Sequence, residues 1–486
     1  MRIAIIGYGM AGARLADHLR GSAVSITVIG AERHPAYNRV LLSNVVAGAM
    51  EPDTVLLHSP DWARDNGIDL RLGVAATAVH PSDHRIDLTD GSTVDYDALV
   101  LATGSSPWIP PADGLIVDGE PAPGVVAFRN LDDCRRLVEL ATRGTPVAVL
   151  GGGLLGLEAA RGLAGRDCAV TVVHPVGHVM ERQLDPAGGH VLARVLAARG
   201  IDFRLGQSAT KYLPGKGLQL DDGTVVAAEV VVVSAGSRPE TGLADAAGIA
   251  VDRGVLIDDS LRTTAPDVYA IGDCAQHPGT VGGLVQPAWE QASVLAQLLT
   301  GADPHARYRG TPAVTRLKTR DVDLASMGEV HVEPHTTDAE VVRLEDPSRG
   351  RYTKIVLRDD RVTGAIVLGA PDVAAAVTQL HDRGTPAPAD RMALLLGRAM
   401  PAGGGAPEAD PAGLPASTLI CRCNTVDKGR LVGAWHAGAR SFDSLVSTTM
   451  AGTGCGGCRD TVCALSRWLA EQDPLTEPEK LGCNAT

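Results

Sequence analysis

The sequence predicts an α/β protein with two dinucleotide-binding domains, a small α+β module and a C-terminal helical domain that carries cysteines. Three observations carry this expectation: glycine-rich turns at Gly7 and Gly151, an 18-residue segment that occurs twice, and four late cysteines arranged as C-x-C and C-x-x-C. At 486 residues the chain exceeds what a single hydrophobic core organises, so several domains are expected. Hydrophobic residues make up 45% but aromatic ones only 3%, so the cores must be aliphatic, which suits helices packed closely on parallel strands.

The first unit opens with "RIAIIGYGMAGARLADHL", where Gly7, Gly9 and Gly12 lie between a buried strand and an amphipathic helix. The first glycine permits the turn, the second lets a pyrophosphate approach the backbone, and the third brings helix against strand. Glu32 follows 25 residues after Gly7, at the end of the next strand, where a carboxylate accepts hydrogen bonds from ribose hydroxyls. "VAVLGGGLLGLEAARGLA" repeats the device with Gly151, Gly153 and Gly156, so a second dinucleotide, NADH or NADPH, is expected. Here the next strand ends in His174 instead of an acid, and no arginine cluster follows to hold a 2′-phosphate, which favours NADH.

"DGSTVDYDALVLATGSSP" (90–107) and "DGTVVAAEVVVVSAGSRP" (222–239) keep Asp-Gly, an apolar run, Gly-Ser and a final proline in register. Two related units are therefore expected; that the first is split around the second is implied by a family resemblance of the stretch 263–275, described below. The boundaries read as 1–113 with 236–306 for the first domain and 114–235 for the second. From 307 to 400 the pattern changes to hairpin strands followed by a helix, an α+β interface domain; "PAGGGAPEADPAGLPAS" (401–417) reads as a linker, and 418–472 as the cysteine domain.

The balance of 57 acidic to 44 basic residues, a formal charge of −13, argues against nucleic acid or an anionic membrane as partner. No apolar run has bilayer-spanning length, and "MRIAIIGYG" enters a strand with no cleavage region, so a cytoplasmic location is expected. In such a setting Cys421, Cys423, Cys455 and Cys458, with 31 residues between the two pairs, point to metal. Four thiolates suit a [2Fe–2S] cluster or a structural zinc ion, although C-x-C is less usual for zinc.

Several stretches carry a family resemblance. "TTAPDVYAIGDCA" resembles the second FAD motif of the two-dinucleotide-fold, glutathione-reductase-like flavoproteins, which implies that Asp273 holds the ribityl chain of FAD and that Glu158 points toward the nicotinamide and flavin as the candidate catalytic residue. "CRCNTVDKGRL" with "AGTGCGGC" resembles the bacterioferritin-associated ferredoxin-like [2Fe–2S] domain, and "ERHPAYNRVLLSNVVAG" and "MERQLD" resemble segments of NADH-dependent nitrite reductase large subunits. That likeness implies that Arg39, Thr103 and Gly104 line the FAD site. It implies no disulfide or peroxide chemistry, since Ser43 and Asn44 stand where thiol enzymes and rubredoxin reductases of the wider group place a cysteine or a lysine.

Only 28 residues follow Cys458, so no sirohaem half is expected, and the chain is similar in extent to electron-transfer subunits of assimilatory nitrate reductases. The expected function is passage of electrons from NADH through FAD and the cluster to a molybdenum nitrate reductase subunit. The alternatives are a reductase serving a nitrite reductase module, a ferredoxin or a rubredoxin, and a non-catalytic redox sensor.

Overall fold

The computed structural model describes residues 1–312, 314–317, 322–397, 413–454 and 456–472. Most of the segment read as linker, 401–412, lies outside the described residues, as does Cys455.

Two five-stranded parallel sheets form the body. The first runs Val268–Ala270, Ala98–Leu101, Arg2–Ile6, Ser25–Gly30, Asp69–Leu72; the second runs Val125–Ala127, Val230–Val233, Pro146–Leu150, Ala169–His174, Ile201–Leu205. Ala98–Leu101 and Val230–Val233 are buried along their whole length, as their unbroken apolar runs require of strands covered on both faces. The chain leaves the first sheet after Leu101, builds the second, and returns to pair Val268–Ala270 with Leu99–Leu101.

The recurring segment has a structural cause. Each copy begins in the last turn of a three-stranded antiparallel sheet, where Asp90 accepts from the Ser92 amide at 3.0 Å and Asp222 from the Thr224 amide at 2.9 Å, local turns for which aspartate followed by glycine is suited. The apolar run is then the parallel strand. The two ends, Ser105–Pro107 and Ser237–Pro239, pair antiparallel with each other and tie the two sheets together.

The third unit is an antiparallel sheet in the order Val314–Arg316, Leu324–Gly328, Arg361–Leu368, Arg351–Arg358, Glu340–Asp346. The helix Pro371–Arg383 covers one face through Val373, Ala374 and Val377. The other face lies on the second domain, where Tyr352, Ile366 and Leu368 join Leu184, Val191 and Leu192 in one core. Asp185 caps the helix Pro186–Ala197 and accepts from the Tyr352 hydroxyl at 2.6 Å and from the Lys354 ammonium at 2.9 Å. Lys354 also donates to the Val330 carbonyl at 2.9 Å, so its buried charge meets a carboxylate and a carbonyl.

The last unit has a two-stranded ribbon, Leu419–Cys421 with Val426–Asp427, and the helices Lys428–His436, Phe442–Thr449 and Arg459–Gln472 around Trp435, Leu431, Leu445 and Val462. Its core extends to Trp289, on the helix Val285–Thr300 of the first domain. The described end of the linker segment is held to this unit: Lys428 donates to the Leu414 carbonyl at 2.8 Å, and the Gly429 amide to the Ala416 carbonyl at 2.8 Å. No described helix is long and apolar enough to cross a membrane.

Lys354→Met strips Asp185 of its buried cation, and the expected loss is about 3–5 kcal/mol of stability, read as a lower urea midpoint. Burial works against the Asp185 carboxylate, but Tyr352, the Gly188 amide and Lys354 hold its pKa below the usual range. Its contribution is therefore present above the unfolded-state pKa and is lost as pH falls through the lower folded value; urea midpoints measured from pH 6 downward should fall less steeply in Asp185→Asn than in the parent.

Candidate dinucleotide and cluster site

One continuous cleft of about 2860 Å³ runs between the domains. It is lined by Gly7 and Gly9, by Gly151 and Gly153, and by Cys421, Cys423 and Cys458, so three sites expected from separate parts of the sequence open into a single space.

The two glycine loops share one geometry. A Cβ on Gly7 would overlap the Ala102 carbonyl, and one on Gly12 the carbonyl of Gly7; Gly151 stands in the same relation to Ser234, and Gly156 to Gly151. Gly12 and Gly156 are required by the close approach of the helix to the turn, and Gly7 and Gly151 by the end of the neighbouring parallel strand. The middle ones differ: a Cβ on Gly9 would meet only Arg39 Nε at 3.9 Å, and one on Gly153 would meet nothing within 4 Å. Gly9 and Gly153 cap the helices Met10–Leu19 and Leu154–Ala164, whose first turns carry no side-chain cap and no acidic residue. Open space before a helix N-terminus that keeps its amide donors fits a pyrophosphate at both loops.

Glu32 accepts from the Tyr37 hydroxyl at 2.6 Å and pairs with Arg39, whose guanidinium also lies over the Tyr37 ring at 5.1 Å. The carboxylate expected to meet only ribose is thus also the anchor of Arg39. Arg39 donates further to the Arg129 carbonyl at 3.3 Å. Asp273 accepts from Ser105 at 3.1 Å and from Arg129 at 2.8 Å, while the preceding Gly272 amide donates to Gln291 at 2.7 Å. Thr103 donates to the Glu240 carbonyl at 2.9 Å, and a Cβ on Gly104 would meet nothing within 4 Å. Arg129, which reaches Asp273 across 144 positions, was not among the sequence candidates; its only signal was a position just before the helix Leu131–Leu140.

Glu158 is buried at 5% exposure on the helix Leu154–Ala164 and lines the cleft. The helix Val285–Thr300 begins at the cleft wall with no side-chain cap.

The cysteine unit is seated against the first domain by polar and aromatic contacts. Asn38 donates to the carbonyls of Thr453 and Gly454 at 2.5 and 2.6 Å, Arg14 bonds Asn424, and Trp289 donates to the Met10 carbonyl at 3.0 Å beside the cysteine-domain core. Arg422 pairs with Asp382 of the third unit. The hydrogen bond from Cys458 draws the Cys421 thiol below its ordinary pKa, with the Gly452 amide and Asn424 adding and burial opposing. Cys421, Cys423 and Cys458 are all buried at the cleft, and the close packing of Gly454 on Cys423 leaves no room for a side chain there. Among the described residues no three His, Cys, Asp or Glu side chains form a compact metal-binding group, the expected fourth ligand Cys455 lying outside them. A Cys421 thiol that the Cys458 hydrogen bond, the Gly452 amide and Asn424 favour as thiolate has the donor chemistry an iron–sulfur cluster uses.

Residues 1–292 match the pyridine nucleotide-disulphide oxidoreductase family. The chain belongs to that family. Residues 313–380 match the C-terminal domain of rubredoxin NAD+ reductase, and 419–465 the BFD-like [2Fe–2S] binding domain. The family and these domains make the chain an NAD(P)H-dependent flavoprotein oxidoreductase with FAD, NADH and a [2Fe–2S] cluster as cofactors. It is similar to the nitrite reductase [NAD(P)H] of Bacillus subtilis, at 34% identity over 95% of this chain and 57% of that protein. It is also similar to the assimilatory nitrate reductase electron transfer subunit of Bacillus subtilis, at 32% identity over 99% of this chain and 62% of that protein. The chain thus spans a little over half the length of either relative, so extent does not separate them. Over 94% of its length, the ferredoxin reductase component of a chlorobenzene dioxygenase from Cupriavidus is 31% identical to 80% of this chain. Among solved structures, the covalent putidaredoxin reductase–putidaredoxin complex aligns with a TM-score of 0.71 at 25% identity, covering 79% of this chain and 94% of that one.

Gly153→Ala should leave the melting temperature unchanged and weaken NADH binding, measured by fluorescence titration, because the added methyl occupies only open cleft. Gly156→Ala should instead lower the melting temperature, because its methyl meets backbone.

Proposed function

We propose that the chain is the cytoplasmic NADH-oxidising component of a nitrate-assimilating system, passing electrons one at a time to the molybdenum subunit of an assimilatory nitrate reductase. The observation that carries the reading is the single cleft shared by two pyrophosphate-ready loops and the cysteine unit. Its support from relatives is the likeness to a nitrate reductase electron transfer subunit across 99% of this chain. The comparable likeness to a nitrite reductase favours a second reading, delivery to a nitrite-reducing module.

FAD held here would supply the conversion of a hydride's paired electrons into single ones, which a [2Fe–2S] cluster requires. In this reading the split domain 1–113 and 236–306 holds FAD with Gly7, Gly9, Gly12, Glu32, Arg39, Thr103, Gly104 and Asp273. Domain 114–235 holds NADH with Gly151, Gly153 and Gly156, and Glu158 orients the nicotinamide from the buried wall of the cleft. Residues 307–400 form the interface domain, 401–417 the linker, and 418–472 the cluster domain with Cys421, Cys423, Cys455 and Cys458 as ligands. The seating of that domain by Asn38, Arg14 and Trp289 supplies proximity.

Anaerobic titration of the full chain with NADH should bleach the flavin and bring up the EPR signal of a reduced cluster. Cys458→Ser should retain the bleaching and lose both the EPR signal and the bound iron and sulfide. Reconstitution with a molybdenum nitrate reductase subunit should give NADH-dependent nitrate reduction; a cluster that stays oxidised while the flavin bleaches, even with mediators, would overturn the proposal. Glu158→Gln should slow flavin reduction on the order of 10²-fold in stopped flow, with FAD content unchanged.

A further inference from the structure

In a βαβ nucleotide unit the adenosine ribose lies beyond the carboxyl end of the second strand, where an acidic side chain ordinarily takes its hydroxyls. The corresponding strand, Ala169–His174, ends in a histidine. That ring is 5% exposed and pressed on the glycine loop, with its Cγ 2.9 Å from where a Cβ on Gly152 would stand. The Gly152 amide donates to His174 Nδ1 at 3.1 Å, so the ring proton belongs on Nε2, which lies 3.0 Å from Glu181 Oε2. Both ring nitrogens are thereby used, and the imidazole presents a carboxylate from seven positions further along the chain.

We infer that Glu181, presented by His174, is the ribose-hydroxyl acceptor of the second nucleotide site and selects NADH against NADPH. The inference rests on the reading of that loop as the NADH site.

Glu181 lines the cleft with a side chain 34% exposed, and Pro175, Gln207 and Ser208 line the same cleft. One carboxylate offers about four acceptor positions, so the bond from His174 leaves capacity for two vicinal hydroxyls. The hydrogen bond from His174 also holds the Glu181 carboxyl below its usual pKa range, against burial, and keeps it anionic at neutral pH. A 2′-phosphate placed there would set a dianion against a fixed anion.

The fixing comes from both ends of "MERQLD". The Met180 amide donates to the Gly152 carbonyl at 2.9 Å. On the other side, Ser326 donates to the Gln183 carbonyl at 2.6 Å, and Asp185 is held by Tyr352 and Lys354. The motif thus clamps the glycine loop to the third unit and delivers its glutamate to the cleft. Arg182, the next residue, is exposed and lines the cleft, and its charge is a candidate to oppose this selection.

The test uses two redox-inert probes, ADP-ribose and 2′-phospho-ADP-ribose, titrated calorimetrically into the flavin-loaded full chain. The parent should bind ADP-ribose at least about tenfold more tightly, as expected for one charge-assisted contact. Glu181→Gln should cut that ratio to near unity by weakening ADP-ribose and strengthening the phosphorylated probe. His174→Phe should lower it partly, and Arg182→Ala should change it less than Glu181→Gln does. Equal binding of the two probes by the parent, or a ratio unmoved in Glu181→Gln, overturns the inference while leaving the nucleotide site intact. Binding of neither probe overturns the site itself and the inference with it.

Discussion

The contact on which the rest depends is the approach of a helix start to the strand before it, made twice in this chain. At Gly12 and Gly156 a side chain has no space because the carbonyl of Gly7 or Gly151 already occupies it. That closeness sets the helix dipole at the end of the sheet, leaves both helix starts without a side-chain cap, and opens a gap in front of Gly9 and Gly153. An anionic dinucleotide backbone is recognised by what the glycines lack as much as by what neighbouring residues supply.

Around these two starts, the chain spends its polar side chains on joining units. Arg129 links the second domain's entry segment to Asp273 and Ser105, and Arg39 links Glu32 to the Arg129 carbonyl. Asp185 with Lys354 and Tyr352 fastens the third unit to the second, and Asn38 and Arg14 fasten the cysteine unit to the first. Polar contacts of this kind, of which Asp185–Lys354 is the buried ion pair, add less to stability than apolar packing of equal volume, but they are strongly directional. They fix where the walls of the common cleft stand.

The local features were legible in the sequence: glycine loops, the recurring segment, the hairpin before the helix Pro371–Arg383, and the cysteine pairs. Each rests on a short-range rule of turn chemistry or periodicity. Arg129, Asn38 and Trp289 were not legible, because nothing near Arg129 in the chain reveals a partner 144 positions away, nor near Asn38 one 415 positions away. Glu32 shows the same limit in milder form. Its place at a strand end was evident, whereas its engagement by Tyr37 and Arg39 depends on how the following segment folds back. The end of the linker segment, at Leu414 and Ala416, looked unable to bury anything, yet its carbonyls serve the cluster unit as backbone acceptors, a role independent of side-chain type.

The return of Val268–Ala270 to the edge of the first sheet bears on synthesis at the ribosome. The domain begun first cannot be finished first: the edge of Ala98–Leu101 waits, unpaired on one side, until more than 160 further residues have emerged, while the inserted domain acquires all its strands by Val233. An unpaired apolar edge on a nascent chain is where neighbouring chains associate wrongly. The antiparallel tie between Ser105–Pro107 and Ser237–Pro239 is available some thirty residues earlier and brings the late strand's approach into place.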